Sequence, residues 1–154
     1  MARNPAPAVL VKEPRIAYCG GTFDLLHPGH INLLRRAKQE FDIVVVSLNT
    51  DEFTSSYKRR HRKPMMPLLD RMVMASACRY VDQVIVNTGG PDSKPAILQS
   101  GAKFIVHGSD WTGTKLMKQM GLTKQWLAEQ GITMVYYPYT HGVSTTHLRR
   151  KRAL

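Results

Sequence analysis

The sequence predicts an α/β fold: an open parallel five-stranded sheet with helices on both faces. Three observations predict it. Short apolar runs alternate with amphipathic stretches from Arg15 to Arg150. Several of the runs are rich in Val and Ile and lack a clean period of two, which suits parallel strands covered on both sides. The chain has 154 residues, 43% of them hydrophobic, enough for one domain with a sizeable core.

Arg15–Cys19 is the first candidate strand. A glycine-marked turn follows, and then Ile31, Leu34, Ala37 and Phe41 repeat at helical spacing. Ile43–Leu48 is the second strand. Leu68, Met72 and Ala75 mark a helix whose start is signalled by Pro67. Gln83–Val86 is the third strand, and Lys94 to Gln99 a short helix opened by Asp92-Ser93. Phe104–His107 is the fourth strand. Thr123 to Gln130 reads as a helix ended by Gly131 in a C-cap position. Thr133–Tyr137 is the fifth strand. The last helix, Ser144 to Arg150, begins with hydroxyls suited to capping. Right-handed crossovers place the first strand near the centre and a ligand at the carboxyl ends of the strands, a Rossmann-like arrangement. The longest irregular segment, Thr54 to Met66, is expected to be a mobile loop over that site. Residues 1–14 are expected to be a flexible lead-in, 15–150 a single domain, and 151–154 a basic tail.

Composition narrows the function. No stretch is long and apolar enough to span a membrane. Met1 to Pro14 carries three prolines and no continuous apolar core, so it does not read as a secretory signal. Two cysteines far apart give no disulfide framework, and a cytoplasmic setting is expected. The net charge is +11, concentrated in two runs. Lys58 to Lys63 holds five Lys/Arg and Arg149 to Arg152 four, with no acid in either. Such clusters attract anions. The run from Lys58 follows the second strand and is placed near phosphate; the C-terminal run reads as a solvated face.

The chemistry is carried by Cys19-Gly20-Gly21-Thr22-Phe23-Asp24-Leu25-Leu26-His27-Pro28-Gly29-His30. A strand, a glycine turn, two histidines three apart and a helix start make a phosphate site. Backbone N–H groups at a helix start attract anions. Gly20, Gly21 and Gly29 let the main chain approach a ligand, and both imidazoles can donate to phosphate oxygens. Two histidines alone fall short of a zinc set, and neither Cys19 nor Cys78 has a partner at ligand spacing.

The run resembles the H-x-G-H signature of the nucleotidyltransferase superfamily, and G-T-F-D-L-L-H-x-G-H resembles its glycerol-3-phosphate cytidylyltransferase branch. Further segments follow in that family's order. Asn49-Thr50-Asp51-Glu52-Phe53 is similar to its stretch after the second strand. Arg71 and Arg79-Tyr80-Val81-Asp82-Gln83-Val84-Ile85 resemble its R…RYVDEVI. His107-Gly108-Ser109-Asp110-Trp111 is similar to its G-D-D-W, and Gly142-Val143-Ser144-Thr145-Thr146 to its closing G-I-S-T-T. Several ordered motifs are more specific than one.

The resemblance implies transfer of CMP from CTP to a small phosphorylated alcohol, with pyrophosphate leaving. The nucleophile is already anionic near neutral pH, so alignment and charge stabilisation suffice. On this reading His27 and His30 contact the triphosphate. Gly21, Thr22, Phe23 and Gly29 form the backbone cradle, with Thr22 adding a hydroxyl. Lys58, with Arg59 beside it, bridges acceptor phosphate and α-phosphate. Gly142, Val143, Ser144, Thr145 and Thr146 hold the β- and γ-phosphates, and capping by these hydroxyls can coexist with that role. Asp110 accepts from the base's exocyclic amine, while Trp111 packs in the core. Arg79 and Lys94 align with residues that contact the phosphorylated substrate or nucleotide. The alternative role for Arg71 is pairing with a carboxylate to hold its helix. Mg²⁺ is expected, held by phosphate oxygens and water because no carboxylate cluster is present. Relatives imply a homodimer.

Three departures bear on substrate. Tyr139 and His141 stand where the family has arginine and glutamate, and a phenol does not reproduce forked donors. The loop after Phe53 is longer, so Tyr57 stands where the lysine is sought and Lys58 takes the role. Thr112 to Lys124 has no counterpart in compact members. An adenylyltransferase acting on flavin mononucleotide or a sugar phosphate shares H-x-G-H and the sheet. A nucleic-acid-binding module is the non-enzymatic alternative; it predicts steep salt dependence and no need for the histidines.

Overall fold

The computed structural model describes residues 12–58, 62–110 and 113–151. Five strands form one parallel sheet: β1 (Ile16–Gly21), β2 (Ile43–Asn49), β3 (Gln83–Asn87), β4 (Phe104–Gly108) and β5 (Thr133–Tyr137). Their order is β3-β2-β1-β4-β5. The order reverses at β1, so the crevice opens between the carboxyl ends of β1 and β4. All five strands stand where the apolar runs predict them.

The helices are α1 (Pro28–Glu40), α2 (Asp51–Tyr57), α3 (Leu68–Ser76), α4 (Lys94–Ser100), α5 (Thr114–Met120), α6 (Lys124–Gln130) and α7 (Thr145–Lys151). Each sheet face carries its own core. On one face Leu34 and Ala37 of α1, Phe41 at its C-cap and Ala75 of α3 pack on Ala17, Cys19, Val44, Val46 and Val106. On the other, Ala96, Ile97, Leu116, Met120 and Leu127 pack on Tyr18, Ile105 and Ile132. Successive residues of a strand alternate between these faces, and β2 is buried almost throughout because both faces are covered. Burial raises the Cys19 thiol to about 12, and both cysteines are free. Among the described residues no helix is long and apolar enough to cross a membrane.

Two helices correct the sequence reading. The segment Thr54 to Met66 is not irregular at its start. Thr50 accepts from the Phe53 amide at 3.1 Å and opens α2, with Asp51 and Glu52 favourably placed in the first turn. At the other end, the amides of Met65 and Met66 are pinned by Asp24. The second addition is α5, between Gly113 and the left-handed Gly121, within the stretch that had no counterpart.

Candidate active site

The first turn of α1 builds the centre. Pro28 has no N–H, so the leading amides without a partner within the helix are those of His27, Gly29 and His30, and the two imidazoles satisfy the first two. His27 is the N-cap, and its Nδ1 accepts from the Gly29 amide at 3.1 Å. The His27 amide donates to Nδ1 of His30 at 3.3 Å. This is a capping box made of imidazoles. The rings stack with centroids 3.8 Å apart and 26° between planes.

An Nδ1 that accepts carries no proton. In each neutral ring the proton therefore sits on Nε2, an assignment that follows from the hydrogen bonds. Burial lowers the pKa of His27. Burial, and then the neighbouring His27, lowers His30 to about 3, against a small opposing pull from Asp24. Both rings are neutral at pH 7, and each presents an Nε2–H donor beside the positive end of a helix. Gly29 is required for this stack: a Cβ there would lie 2.9 Å from Cε1 of His27.

Around this centre lies a cleft of about 1050 Å³ at the carboxyl ends of the strands. Gly21, Thr22, Phe23, His27, Gly29, His30, Lys58, Asp110, Ser144, Thr145 and Thr146 all line it. Gly142 and Val143 form the turn beside it, with Gly142 at φ +81° and the Val143 carbonyl accepting from the Tyr139 hydroxyl at 3.2 Å. Tyr139 thus latches the turn that precedes α7, a structural task for the residue that replaces an arginine. Ser144 caps the His147 amide at 3.1 Å, and the Thr145 hydroxyl donates to the Asp24 carbonyl at 2.9 Å. The Thr22 hydroxyl is engaged by the Tyr57 hydroxyl at 2.9 Å. Arg59 and Trp111 lie outside the described residues.

Two expected substrate contacts are not brought together with the rest. Arg79 is exposed, stacks over Tyr80 with its guanidinium carbon 5.7 Å from the ring centroid, and precedes β3 at the end of the sheet away from the cleft. Lys94 pairs with Asp92 at 3.3 Å; its neighbour Ser93 lines the cleft and it does not. The C-terminal run is also corrected. Arg149 and Arg150 line the cleft, so this run is not merely a solvated face.

Several residues of the site have no signal in spacing. Arg35 and Arg36 of α1 add positive charge to the cleft wall, where Arg62, of the basic run that the sequence places near phosphate, joins them. Asp24 is buried, and its carboxylate accepts from the amides of Met65 (2.9 Å) and Met66 (3.0 Å) and from Arg149 (2.6 Å). Burial opposes ionisation of Asp24, but the Met65 amide, Arg149 and the Met66 amide together hold its pKa below the usual value. Arg71 is fully buried. It pairs with Asp51 at 2.5 Å and donates to the carbonyls of Met66 (3.1 Å), Thr22 (2.7 Å) and Asn49 (2.9 Å), fastening the ends of β1 and β2. Pairing of Arg71 with a carboxylate was one expected role.

A family profile described as Cytidylyltransferase-like matches residues 18–151. The chain belongs to the cytidylyltransferase-like family. It is 37% identical over 133 residues to the glycerol-3-phosphate cytidylyltransferase of Bacillus subtilis (strain 168), covering 86% of this chain and 93% of that one. It is 38% identical over 107 residues to the ethanolamine-phosphate cytidylyltransferase of Arabidopsis thaliana, covering 70% of this chain but only 24% of that longer protein. The fold is similar to a lipopolysaccharide core biosynthesis protein from Thermoplasma volcanium GSS1, with a TM-score of 0.66, 22% identity, and 83% and 98% of the two chains covered. In this cytidylyltransferase-like chain His27 and His30 thus cap the first turn of α1 through Nδ1 and carry their protons on Nε2.

Proposed function

We propose that this nucleotidyltransferase moves CMP from CTP to a small phosphorylated alcohol of the glycerol 3-phosphate kind and releases pyrophosphate. The observation that carries the reading is the pair of Nε2–H donors from His27 and His30 at the start of α1, inside a basic cleft. The two cytidylyltransferases of phosphorylated alcohols described above support this donor and acceptor class.

The acceptor's phosphomonoester oxygen forms a bond to the α-phosphorus. The bond from that phosphorus to the bridging oxygen breaks, and pyrophosphate leaves with the electron pair. A phosphomonoester is largely dianionic near neutral pH, so no general base is needed. The chain's task is to hold reactants in line and to meet charge as it develops. Two neutral donors do so without a proton changing hands. Lys58, at the end of α2, faces the same cleft and balances the phosphates of both substrates. Asp110 accepts from the exocyclic amine of cytosine.

Mg²⁺ bound to the triphosphate would supply further charge neutralisation. Among the described residues no three His, Cys, Asp or Glu are grouped to hold a metal, and the carboxylate of Asp24 is already taken by two amides and an arginine. This donor set fits an ion held mainly by phosphate oxygens and water. Leu69 and Val73, one turn apart on α3 and 72% and 66% exposed, support a homodimer. The free thiols of Cys19 and Cys78 fit a reducing cytoplasm.

The test is pyrophosphate release from each of the four ribonucleoside triphosphates against phosphorylated polyols, amino alcohols, sugars and flavin mononucleotide. Turnover with CTP and glycerol 3-phosphate is expected. Turnover with ATP and flavin mononucleotide alone, or with no pair, overturns the proposal.

A further inference from the structure

The cleft has two unlike lobes. On the α1 side it carries the paired histidines and the arginines of α1 and α7. On the opposite face of the sheet it is lined by Tyr18, Ser93, His107, Leu116, Gln119 and Met120. Alternation along β4 fixes that face. Ile105 packs with Tyr18 and Leu116, and Val106 with Cys19, so His107 lies on the Ile105 side. The lobe is neutral and polar on one wall and apolar on the other. Asp110, the carboxylate nearest in sequence to His107 that lines the cleft, is exposed.

His107 differs from the other two histidines of the cleft. Its Nδ1 lies 3.2 Å from the carbonyl oxygen of Gly108. A carbonyl only accepts, so Nδ1 carries the proton and Nε2 is a bare lone pair. No protein donor meets that nitrogen among the described residues. Burial lowers the pKa of His107, outweighing the Gly108 carbonyl and Asp110, which act to raise it; the ring is neutral at pH 7.

We propose that the lobe beside β4 and α5 receives the phosphorylated alcohol, and that Nε2 of His107 accepts a hydrogen bond from its hydroxyl, making His107 a specificity-determining residue. This rests on the acceptor class proposed above and adds where the acceptor sits and which residue reads it. A neutral lobe with one lone pair suits a hydroxyl. A quaternary ammonium has no proton to give it, and a deoxy chain would leave the nitrogen unpaired, which a site built to hydrogen-bond its substrate penalises strongly.

The experiment compares sn-glycerol 3-phosphate with propyl phosphate at saturating CTP, in the wild type, His107→Phe and His107→Gln. Wild type is expected to prefer the hydroxylated acceptor by at least roughly tenfold in kcat/KM. His107→Phe removes the lone pair while keeping ring bulk; it should lose most of that preference with the KM for CTP unchanged. His107→Gln places an oxygen near the position of Nε2 and should restore much of it. An equal loss on both acceptors, or a raised KM for CTP with the preference intact, overturns the assignment. A wild type with no turnover on either acceptor defeats the functional reading instead. The side-chain ¹⁵N resonance of His107 then decides the subsite: a shift of Nε2 on adding sn-glycerol 3-phosphate alone supports it, and no shift overturns it.

Discussion

The imidazoles of His27 and His30 stack 3.8 Å apart, and each uses Nδ1 to close the first turn of α1. Cap and donor are therefore two atoms of one ring. The cap fixes the tautomer, and the tautomer fixes which nitrogen faces the cleft with a proton. The arrangement is pre-organised before any nucleotide arrives.

Cap and donor can be separated by substitution. Asn is among the best N-caps, and Ala among the poorest. His27→Asn should keep the α1 start and remove Nε2–H, leaving stability within about 0.5 kcal/mol of wild type. His27→Ala should cost about 1 kcal/mol as well. Both should lower kcat by roughly 100- to 1000-fold, the scale for one lost donor to developing charge. Urea unfolding and pyrophosphate release measure the two effects independently. A His27→Asn enzyme with full turnover would remove His27 from the catalytic set.

Neutral histidines make stability depend on pH in a defined direction. His30 ionises near 6.5 unfolded and near 3 folded. Below pH 6.5 the unfolded chain takes up a proton that the native chain does not. Stability is fully present above that value and falls as pH drops toward 3, by at most about 1.4 kcal/mol per pH unit for this group. Asp24, whose folded pKa is also depressed, adds a loss only below its ordinary carboxylate range. The urea midpoint should therefore fall between pH 7 and pH 5, and less so in His30→Gln. A midpoint that is flat over this range would show that His30 takes up its proton as readily in the fold as in the unfolded chain.

Arg71 should be the most costly single charge to remove. It is buried with a carboxylate and three carbonyls as partners. Arg71→Met leaves those acceptors without a donor, and a loss of about 3 kcal/mol or more is expected, read as a lowered urea midpoint. Arg71→Lys should recover only part of it, because one ammonium cannot reproduce the forked geometry.

The ion pair between Asp24 and Arg149 should control α7. That helix buries no residue of its own. Besides that pair, it is tied down by Thr145 on the Asp24 carbonyl and by Arg149 on the Lys63 carbonyl at 3.1 Å. Asp24→Asn should speed hydrogen exchange at the α7 amides while the strand amides keep their protection, and should raise the KM for nucleotide. Unchanged exchange in α7 would show that the pair does not hold it.

Much of this was legible in the sequence because it is local. The five strands show as short apolar runs, several of them lacking two-fold alternation, and His27, Gly29 and His30 lie within four residues, so a strand–turn–helix motif places them together without further folding. The misses have two physical causes. Helices α2 and α5 have seven residues each, two turns in which Thr54, Ser55 and Ser56 are poor helix formers; only Thr50, the acids after it and Gly121 signalled them. Contacts between distant residues leave no spacing. Asp24 meets Arg149 across 125 positions, and nothing in either neighbourhood announces the other. Arg79 shows the converse: a motif likeness places it near substrate, but β3 is an edge strand and Arg79 enters at its far end.

The burial of Cys19 has a practical reach. Only two thiols exist in the chain, and one is sealed between sheet and helix in a form that resists alkylation. A maleimide dye should therefore react first at Cys78, which is only partly buried and lies at the end of the sheet away from the cleft. One fluorophore per chain, away from the cleft, gives a direct view of whether copies associate in solution.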